Sequence, residues 1–416
     1  MKKVLFFVAF CVTLLAGQVQ AKKVIVRDDM FEFELNTSTK KAVLTDYFKG
    51  SSTGTVTIPD EVLYSGDGNS YKVVKIGETA FLSSKMKAVN FPSGLTTIGK
   101  EAFYNCPNLY KDKVMTIPEG VTTIDTLAFA FLKASEIRIP STCKTIRLQA
   151  FADVTARTVR FAAPKDGLTI GNMCFAMSDI ETIAFPMGMT KLGESAFLDC
   201  LKLKSISFPG SLSKVPSCCC YNCPALTTVS FQEGVKTIGW GAFSQCNISA
   251  VSFPGTLKVI EYQAFEYNHI SSLVLSNGVT DIGSWAFQYN EEMTGVYIGP
   301  YVSNIGKEAF WGCTKLMGVN SRNLTPPKLG EKCFSKESLE YATLYLQDAA
   351  VNEYRLTPGW KDFKWFDRAG VNDVCADNSE AAEYYNLSGI RVADTELHPG
   401  VYIKRTPGGA EKILIK

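Results

Sequence analysis

The densest group of metal-capable side chains in the sequence is Cys218-Cys219-Cys220 followed by Cys223. Four thiolates make a tetrahedral zinc site. Successive residues of an extended segment point to opposite sides, however, and no histidine is near in sequence. The group therefore reads as a variation on a repeat, with a local disulfide as the alternative in an exported chain. The two histidines, His269 and His398, have no nucleophile at a recognisable spacing. No glycine-rich phosphate loop follows a strand and opens a helix. Polysaccharide cleavage needs clustered carboxylates on one face, and the outward-facing strand column defined below contains none. These observations assign no catalytic residue, no metal and no cofactor.

The remaining chemistry is that of binding. Trp240 and Tyr262 occupy the same place in neighbouring repeats, and Trp285 lies one residue later in the next. Exposed, they form a ridge able to stack on sugar rings or anchor a protein partner; the alternative is packing over the turn edge. Arg138 and Arg160 fall side by side on the outer sheet face, where they either hold an anionic group or are simply solvated. Tyr297 stands in the same outward column.

These residues are positioned by a repeat. Ala-Phe recurs at Ala80-Phe81, Ala102-Phe103, Ala128-Phe129, Ala150-Phe151, Ala196-Phe197, Ala242-Phe243, Ala264-Phe265, Ala286-Phe287 and Ala309-Phe310, with degenerate copies at Cys174-Phe175, Cys219-Cys220 and Cys333-Phe334. The spacing is 22 to 26 residues throughout. Five residues before each anchor phenylalanine sits an aliphatic residue, such as Ile98, Ile124, Ile146 or Ile238. Earlier still comes a short alternating strand, often closed by proline, as in Ile206-Ser207-Phe208-Pro209. Alternation with β-branched and aromatic residues reads as a strand with one buried face, and the proline ends its ladder. No single unit buries its own apolar residues, so like positions must stack into columns. The prediction is a solenoid of short parallel strands, about 12 coils, β-rich with little helix. The residue between the inward strand positions faces out: Thr57, Asn90, Thr116, Arg138, Arg160, Ala184, Ser207, Ser230, Ser252, Val274, Tyr297.

Thirteen cysteines in an exported chain invite disulfides. The repeat argues against them. Cys106, Cys200, Cys223, Cys246 and Cys313 fall three residues after an anchor. Cys174, Cys219, Cys220 and Cys333 replace anchor residues, and Cys143 sits in an aliphatic column. All ten read as core positions, where a thiol behaves as a small apolar group. Asn268 and Asn290 take the post-anchor place and must bond to turn backbone there.

The pattern Leu-x-x-Ile-x-Phe-Pro, Leu-x-x-Ile-Gly, Ala-Phe-x-x-Cys, seen in Val235-Lys236-Thr237-Ile238-Gly239 with Ala242-Phe243-Ser244-Gln245-Cys246, resembles the BspA-like, treponemal-type leucine-rich repeats of bacterial surface proteins. The resemblance covers about residues 55 to 337. It implies a right-handed leucine-rich-repeat superhelix, export to the cell surface, and adhesion or protein–protein contact, and it supplies no catalytic residue. The spacing from Phe103 to Phe129 and the Cys218–Cys220 cluster depart from it and imply a bulged coil or loop.

Residues 1–21 read as a signal peptide: Lys2 and Lys3, an apolar run from Val4 to Ala16 too short to span a bilayer, and cleavage after Ala21. The remainder has no transmembrane segment. Lys+Arg number 43 and Asp+Glu 41; the signal carries two lysines and no acid, so the rest is balanced and has no electrostatic footprint for nucleic acid. Residues 22–50 read as an N-terminal β cap, 51–337 as the array, 338–368 as a C-terminal cap, 369–382 as a linker and 383–416 as a small β tail. Tyr385 to Gly389 and Pro399 to Ile403 in that tail resemble the C-terminal sorting modules of Bacteroidota secreted proteins. The expectation is a secreted or surface protein that binds a partner, a host matrix or cell-surface protein, without catalysis. The alternatives are a structural surface scaffold, or glycan capture through the aromatic ridge.

Overall fold

The computed structural model describes residues 9–10, 23–164, 166–368, 383–385, 391–392, 400–406 and 409–415. The chain divides into two compact units, residues 1–203 and 204–416. The repeats of both wind into β-solenoid turns, about 13 in all, with little helix.

In the first unit, the aliphatic five before each anchor lies in a two- or three-residue strand. Thr97–Ile98, Thr123–Ile124, Thr145–Ile146 and Leu168–Ile170 pair in parallel so that Ile98, Ile124, Ile146 and Ile170 form one register. A second parallel sheet joins Val114–Thr116, Glu136–Ile139 and Thr158–Phe161, with Met115, Ile137 and Val159 aligned and buried. The glycine that follows the aliphatic residue has a steric cause: a Cβ on Gly99 would lie 2.7 Å from the carbonyl oxygen of Ile76 in the preceding turn.

The anchor turn has its own backbone rule. Two residues before and two after the anchor phenylalanine, the chain is left-handed: Glu101 and Asn105 flank Phe103, each with φ 53°. Alternating handedness turns every second N–H toward the next repeat. Glu101 N–H thus donates to the Thr126 oxygen at 2.8 Å, Phe103 to Ala128 at 2.8 Å and Asn105 to Ala130 at 3.1 Å. Left-handed backbone costs a side-chain-bearing residue about 1–2 kcal/mol, which the inter-turn ladder offsets. The anchor rings stack behind this ladder: Phe81, Phe103 and Phe129 are 4.9 and 5.1 Å apart and within 4° of parallel. The long spacing between Phe103 and Phe129 leaves that stack intact. Its additional residues form turns around Tyr110 and Asp112, both left-handed, with the Tyr110 hydroxyl donating to the Val89 oxygen at 2.7 Å.

The first unit begins with antiparallel strands Lys23–Arg27, Phe31–Asn36 and Lys41–Tyr47, the last of which pairs in parallel with Asn69–Ile76. Phe31 and Tyr47 close the ring column, with Tyr47 5.0 Å from Phe81. An end that would otherwise expose strand groups and core is thereby covered.

In the second unit the same column runs Phe243, Phe265, Phe287, Phe310 and Phe334 at 5.2 to 5.6 Å. It ends on Trp360, whose indole N–H donates to the Pro327 oxygen at 2.7 Å, and on Phe363. The outer parallel sheet runs through Ser272–Val274, Gly295–Ile298, Gly318–Ser321, Thr343–Leu346 and Trp365–Arg368, two strands beyond the last anchor. Trp360, Phe363 and Tyr354 are buried over the final coil, while Trp365 lies in the last of these strands and is 59% exposed. Short helices Lys336–Tyr341 and Val351–Leu356 precede it. Strands Glu383–Tyr385, Arg391–Val392, Gly400–Thr406 and Gly409–Ile415 form an antiparallel sheet. The signal-peptide reading, apart from Ala9–Phe10, the linker 369–382, and residues 386–389 and 399 of the sorting motif lie outside the described residues.

All eleven described cysteines are in the thiol form, and the ten assigned to core positions are buried. Burial pushes the thiols of Cys106, Cys143 and Cys313 up to about 12, so the reactive thiolate is absent at neutral pH. Brief maleimide labelling of the native protein, read by peptide mass spectrometry, is expected to modify Cys218, the only half-exposed thiol among the described residues, well before these ten. Denaturant should make all of them react. Fast labelling of Cys106 or Cys313 in the folded protein contradicts this placement.

Candidate binding surface on the turn edge

Each post-anchor side chain serves the preceding turn. The thiol of Cys106 donates to the Phe81 carbonyl at 3.0 Å, that of Cys200 to Phe175 at 3.0 Å and that of Cys246 to Cys220 at 3.1 Å. Asn268 Nδ2 donates to Phe243 at 2.7 Å, and Asn290 Nδ2 to Phe265 at 2.9 Å. The asparagines add a bond that a thiol does not make: Oδ1 of Asn268 accepts from Ile248 N–H and that of Asn290 from Ile270 N–H, each at 3.0 Å. Cys313 donates to Phe287 at 3.4 Å. This column is internal structure.

Cys218 to Cys223 do not lie in an extended segment. Cys218 is left-handed (φ 51°) and opens an anchor turn. The turn brings the Cys220 thiol against those of Cys219 and Cys223, and Cys223 against Cys246. Cys219, Cys220 and Cys223 are thus drawn together beside Cys246 inside the coil, while Cys218 is half-exposed, so the four cysteines do not share one centre. Among the described residues no group of histidine, cysteine and acid side chains is arranged to hold a metal ion.

On the sheet face of the first unit, Arg138 and Arg160 are register neighbours, and both bind one carboxylate. Arg138 Nε reaches Glu136 at 2.6 Å and Arg160 Nε reaches it at 3.1 Å. The two guanidinium groups hold Glu136 below the usual carboxylate range. The pair with Glu136 therefore carries one net positive charge, with the Nε donor of each guanidinium engaged. Glu136 shares the outer face two residues before Arg138, beyond the column the sequence argument tabulated.

In the second unit Ser230 and Ser252 of that column are exposed, and one member is covered. Val274, expected to face out, is 6% exposed, and strand Gly400–Thr406 lies against Ser272–Val274. Tyr297 is half-buried and accepts from Arg322 Nε at 3.0 Å.

The turn edge of the second unit is different. Trp240 is 48% exposed and Tyr262 37% exposed; Trp285 is half-buried. Their rings follow one another at 6.4 and 4.9 Å. Trp240 Nε1 donates to Gln263 at 3.2 Å, and Trp240 N–H to Glu261 at 2.9 Å. A second aromatic pair stands two residues past the anchors: Tyr267 stacks on Tyr289 at 4.6 Å and 14°, and Tyr267 is 48% exposed. Between the two rows lie Ser244, Glu266 and Gln288, all buried.

Glu266 joins the rows. Its Oε2 accepts from Gln263 Nε2 at 2.8 Å and from Ser244 Oγ at 3.2 Å. Burial raises its carboxyl above the usual range, ahead of the opposing effect of these donors. Desolvation, then the Glu266 charge, raises Tyr262; the same two, with Tyr289 between them, raise Tyr267. Because the folded pKa of Glu266 exceeds the unfolded one, the unfolded state releases its proton first as pH rises. Stability falls across the interval between the two values. Glu266→Gln keeps an acceptor for both donors and is expected to raise the melting temperature at pH 7, with the gain vanishing near pH 4, where both states are protonated. A gain of equal size at both pH values contradicts buried charge as the cause.

Glu266 and the Tyr267–Tyr289 row were missed from sequence. The signal available was the +1 and +2 offsets from the anchor, where Ser244, Glu266 and Gln288, then Gln245, Tyr267 and Tyr289, are uniformly polar or aromatic.

The model of the BspA type leucine-rich repeat region matches residues 41–162, 111–224, 156–270 and 213–340. Among solved structures, a leucine-rich repeat protein from Bacteroides ovatus is similar at 22% identity, covering 82% of this chain and 99% of its own, with a TM-score of 0.57. The pneumococcal vaccine antigen PcpA matches at 17% identity over 79% of this chain and 95% of its own, with a TM-score of 0.48. A leucine-rich cell surface protein from Faecalibacterium prausnitzii matches at 22% over 71% and 94%, with a TM-score of 0.36. A comparison with curated proteins gives no match.

Proposed function

The chain belongs to the BspA-type leucine-rich repeat family, and from that premise we propose that it is an exported adhesion or capture protein that takes an extracellular macromolecule on the turn edge of residues 204–416, without catalysis. The observation that carries this reading is the exposure of Trp240 and Tyr262 in one continuous row with Trp285. Large aromatics in a row at the surface of a soluble chain mark contact sites. The sheet face offers less. Its outward residues are small hydroxyls, its arginine pair is engaged by Glu136, and its aromatic Tyr297 is committed to Arg322.

Export is supported by Lys2-Lys3 and the apolar run that follows. Among the described residues no helix is long and apolar enough to cross a membrane. The test is a binding screen of the full chain without residues 1–21 against extracellular-matrix proteins and a glycan panel. The comparison proteins carry Trp240→Ala, Tyr262→Ala and Trp285→Ala, or Arg138→Ala and Arg160→Ala. The expected result is a saturable partner lost by about tenfold or more in the aromatic variant and retained in the arginine variant. The opposite pattern moves the site to the sheet face. No partner at all, with both proteins folded, favours a scaffold whose surface meets only copies of itself.

A further inference from the structure

The outward column of the sheet changes character toward its C-terminal end. From Thr57 to Ser252 none of its members is buried. Val274 is buried, and so is Asn320, which continues the column in register through Tyr297. The row beside it runs Ser272, Gly295, Gly318 and Thr343. Two neighbouring glycines leave that part of the face without side chains, and Val274, Tyr297, Asn320 and Tyr345 flank it. Strand Gly400–Thr406 of the C-terminal antiparallel sheet lies against Ser272–Val274. We propose that the C-terminal sheet is a releasable cover held in cis on this face, and that its departure opens a second binding surface, one that receives an extended polypeptide segment.

Three observations support a cover that can leave. First, burial of the outward column begins at the strand the C-terminal sheet touches, and the occupant there is itself an extended strand. Second, the fit is incomplete. Ser272 Oγ and Asn320 Oδ1 are buried with no hydrogen-bond partner among the described residues. Each such group costs about 1–3 kcal/mol, so the cover is held less tightly than the face allows. A segment that donates to Asn320 Oδ1 recovers that cost and displaces it. Third, the cover is tethered. Residues 369–382 join Arg368, at the end of the last array strand, to Glu383, and they reach at most about 50 Å. A tether of this kind sets an effective concentration on the order of millimolar. A contact too weak to persist between separate molecules therefore stays closed within one chain and yields to a better-matched segment. This surface is distinct from the turn edge, and its test does not involve Trp240, Tyr262 or Trp285.

The experiment places a site-specific protease sequence within residues 369–382 of the full chain without residues 1–21, so that the protein folds intact and is cut afterwards. Carbene footprinting, which labels aliphatic C–H bonds, follows the peptide containing Val274 before cleavage, after cleavage and dilution to nanomolar concentration, and on adding back a synthetic peptide of residues 383–416. The expected result is a severalfold rise in labelling at Val274 once the C-terminal sheet has left, reversed saturably by the added peptide. Val274→Glu places a charge on the covered face and should weaken that rebinding about tenfold or more. Circular dichroism of the cut variant separates lost rebinding from lost fold. Labelling at Val274 that is as fast in the intact chain as in the cut one overturns the proposal. A C-terminal sheet that stays bound after cleavage and dilution overturns its release. Failure of the synthetic peptide to bind, or binding that leaves Val274 labelling unchanged, removes the strand-receiving face.

Discussion

Phe265→Ala is expected to lower stability by about 3–5 kcal/mol, the cost of truncating a fully buried aromatic residue whose site cannot collapse. Collapse is blocked on both sides. The Phe265 ring lies 5.2 Å from Phe243 and 5.5 Å from Phe287, parallel to the latter within 1°. Its backbone is fixed by the ladder, donating to Ala286 and accepting from Asn290. Moving one ring to fill the gap would pull a whole turn off its neighbours. In a stacked array each repeat contacts only those beside it, so the loss falls on the two interfaces of this turn. Urea unfolding followed by far-UV circular dichroism measures it, and Phe265→Leu, which keeps most of the volume, should cost much less. A loss under about 1 kcal/mol for the alanine variant, outside the range for such sites, contradicts the column as a tight core.

The second large effect is expected at Asn268, where volume is a minor matter. Asn268→Leu removes the donor to the Phe243 carbonyl at 2.7 Å, a second to the Glu266 carbonyl at 3.2 Å, and the acceptor of Ile248 N–H at 3.0 Å. Leaving a buried polar group unsatisfied costs about 1–3 kcal/mol. The Ile248 N–H loses its acceptor outright, and the variant should lose about 3 kcal/mol in all. Asn268→Cys restores the residue that Cys106, Cys200 and Cys246 place at this offset and with it the bond to the anchor carbonyl. It leaves the Ile248 N–H open and should fall between wild type and leucine. The order wild type, cysteine, leucine in urea midpoint is the test. Leucine as stable as wild type would show that the column needs only apolar bulk.

The period was legible because core positions constrain residue type. Ile98, Ile124 and Ile146 share one strand register, and nothing polar serves there. The Ile-Gly pair was legible for the same reason, since the backbone of the preceding turn leaves no room for a Cβ. The left-handed positions were not legible. Glu101, Gln149, Met173 and Trp285 occupy the same backbone place and share no chemistry, because the inter-turn ladder, not the side chain, fixes the conformation. The aromatic row was legible all the same: Trp285 sits at a left-handed position, one residue from the place of Trp240 and Tyr262, and still joins them. Glu266 reads from sequence as a surface acid, and its burial depends on the flanking turns. The Cys218 cluster was legible in outcome and not in backbone: Cys219, Cys220 and Cys223 are buried as their offsets require, and Cys218 stands apart because it opens an anchor turn and not a strand. Val274 is buried because a strand more than a hundred residues later covers it, which no local pattern records.

The most direct test of the central claim is oxidative footprinting of the full chain without residues 1–21, with and without the partner that the binding screen identifies. Protection is predicted at Trp240, Tyr262 and Tyr267, with Tyr301 and Trp365, exposed outside that row, oxidising at unchanged rates. Protection at Tyr301 and Trp365, with the turn edge oxidising as in the free protein, would contradict the account.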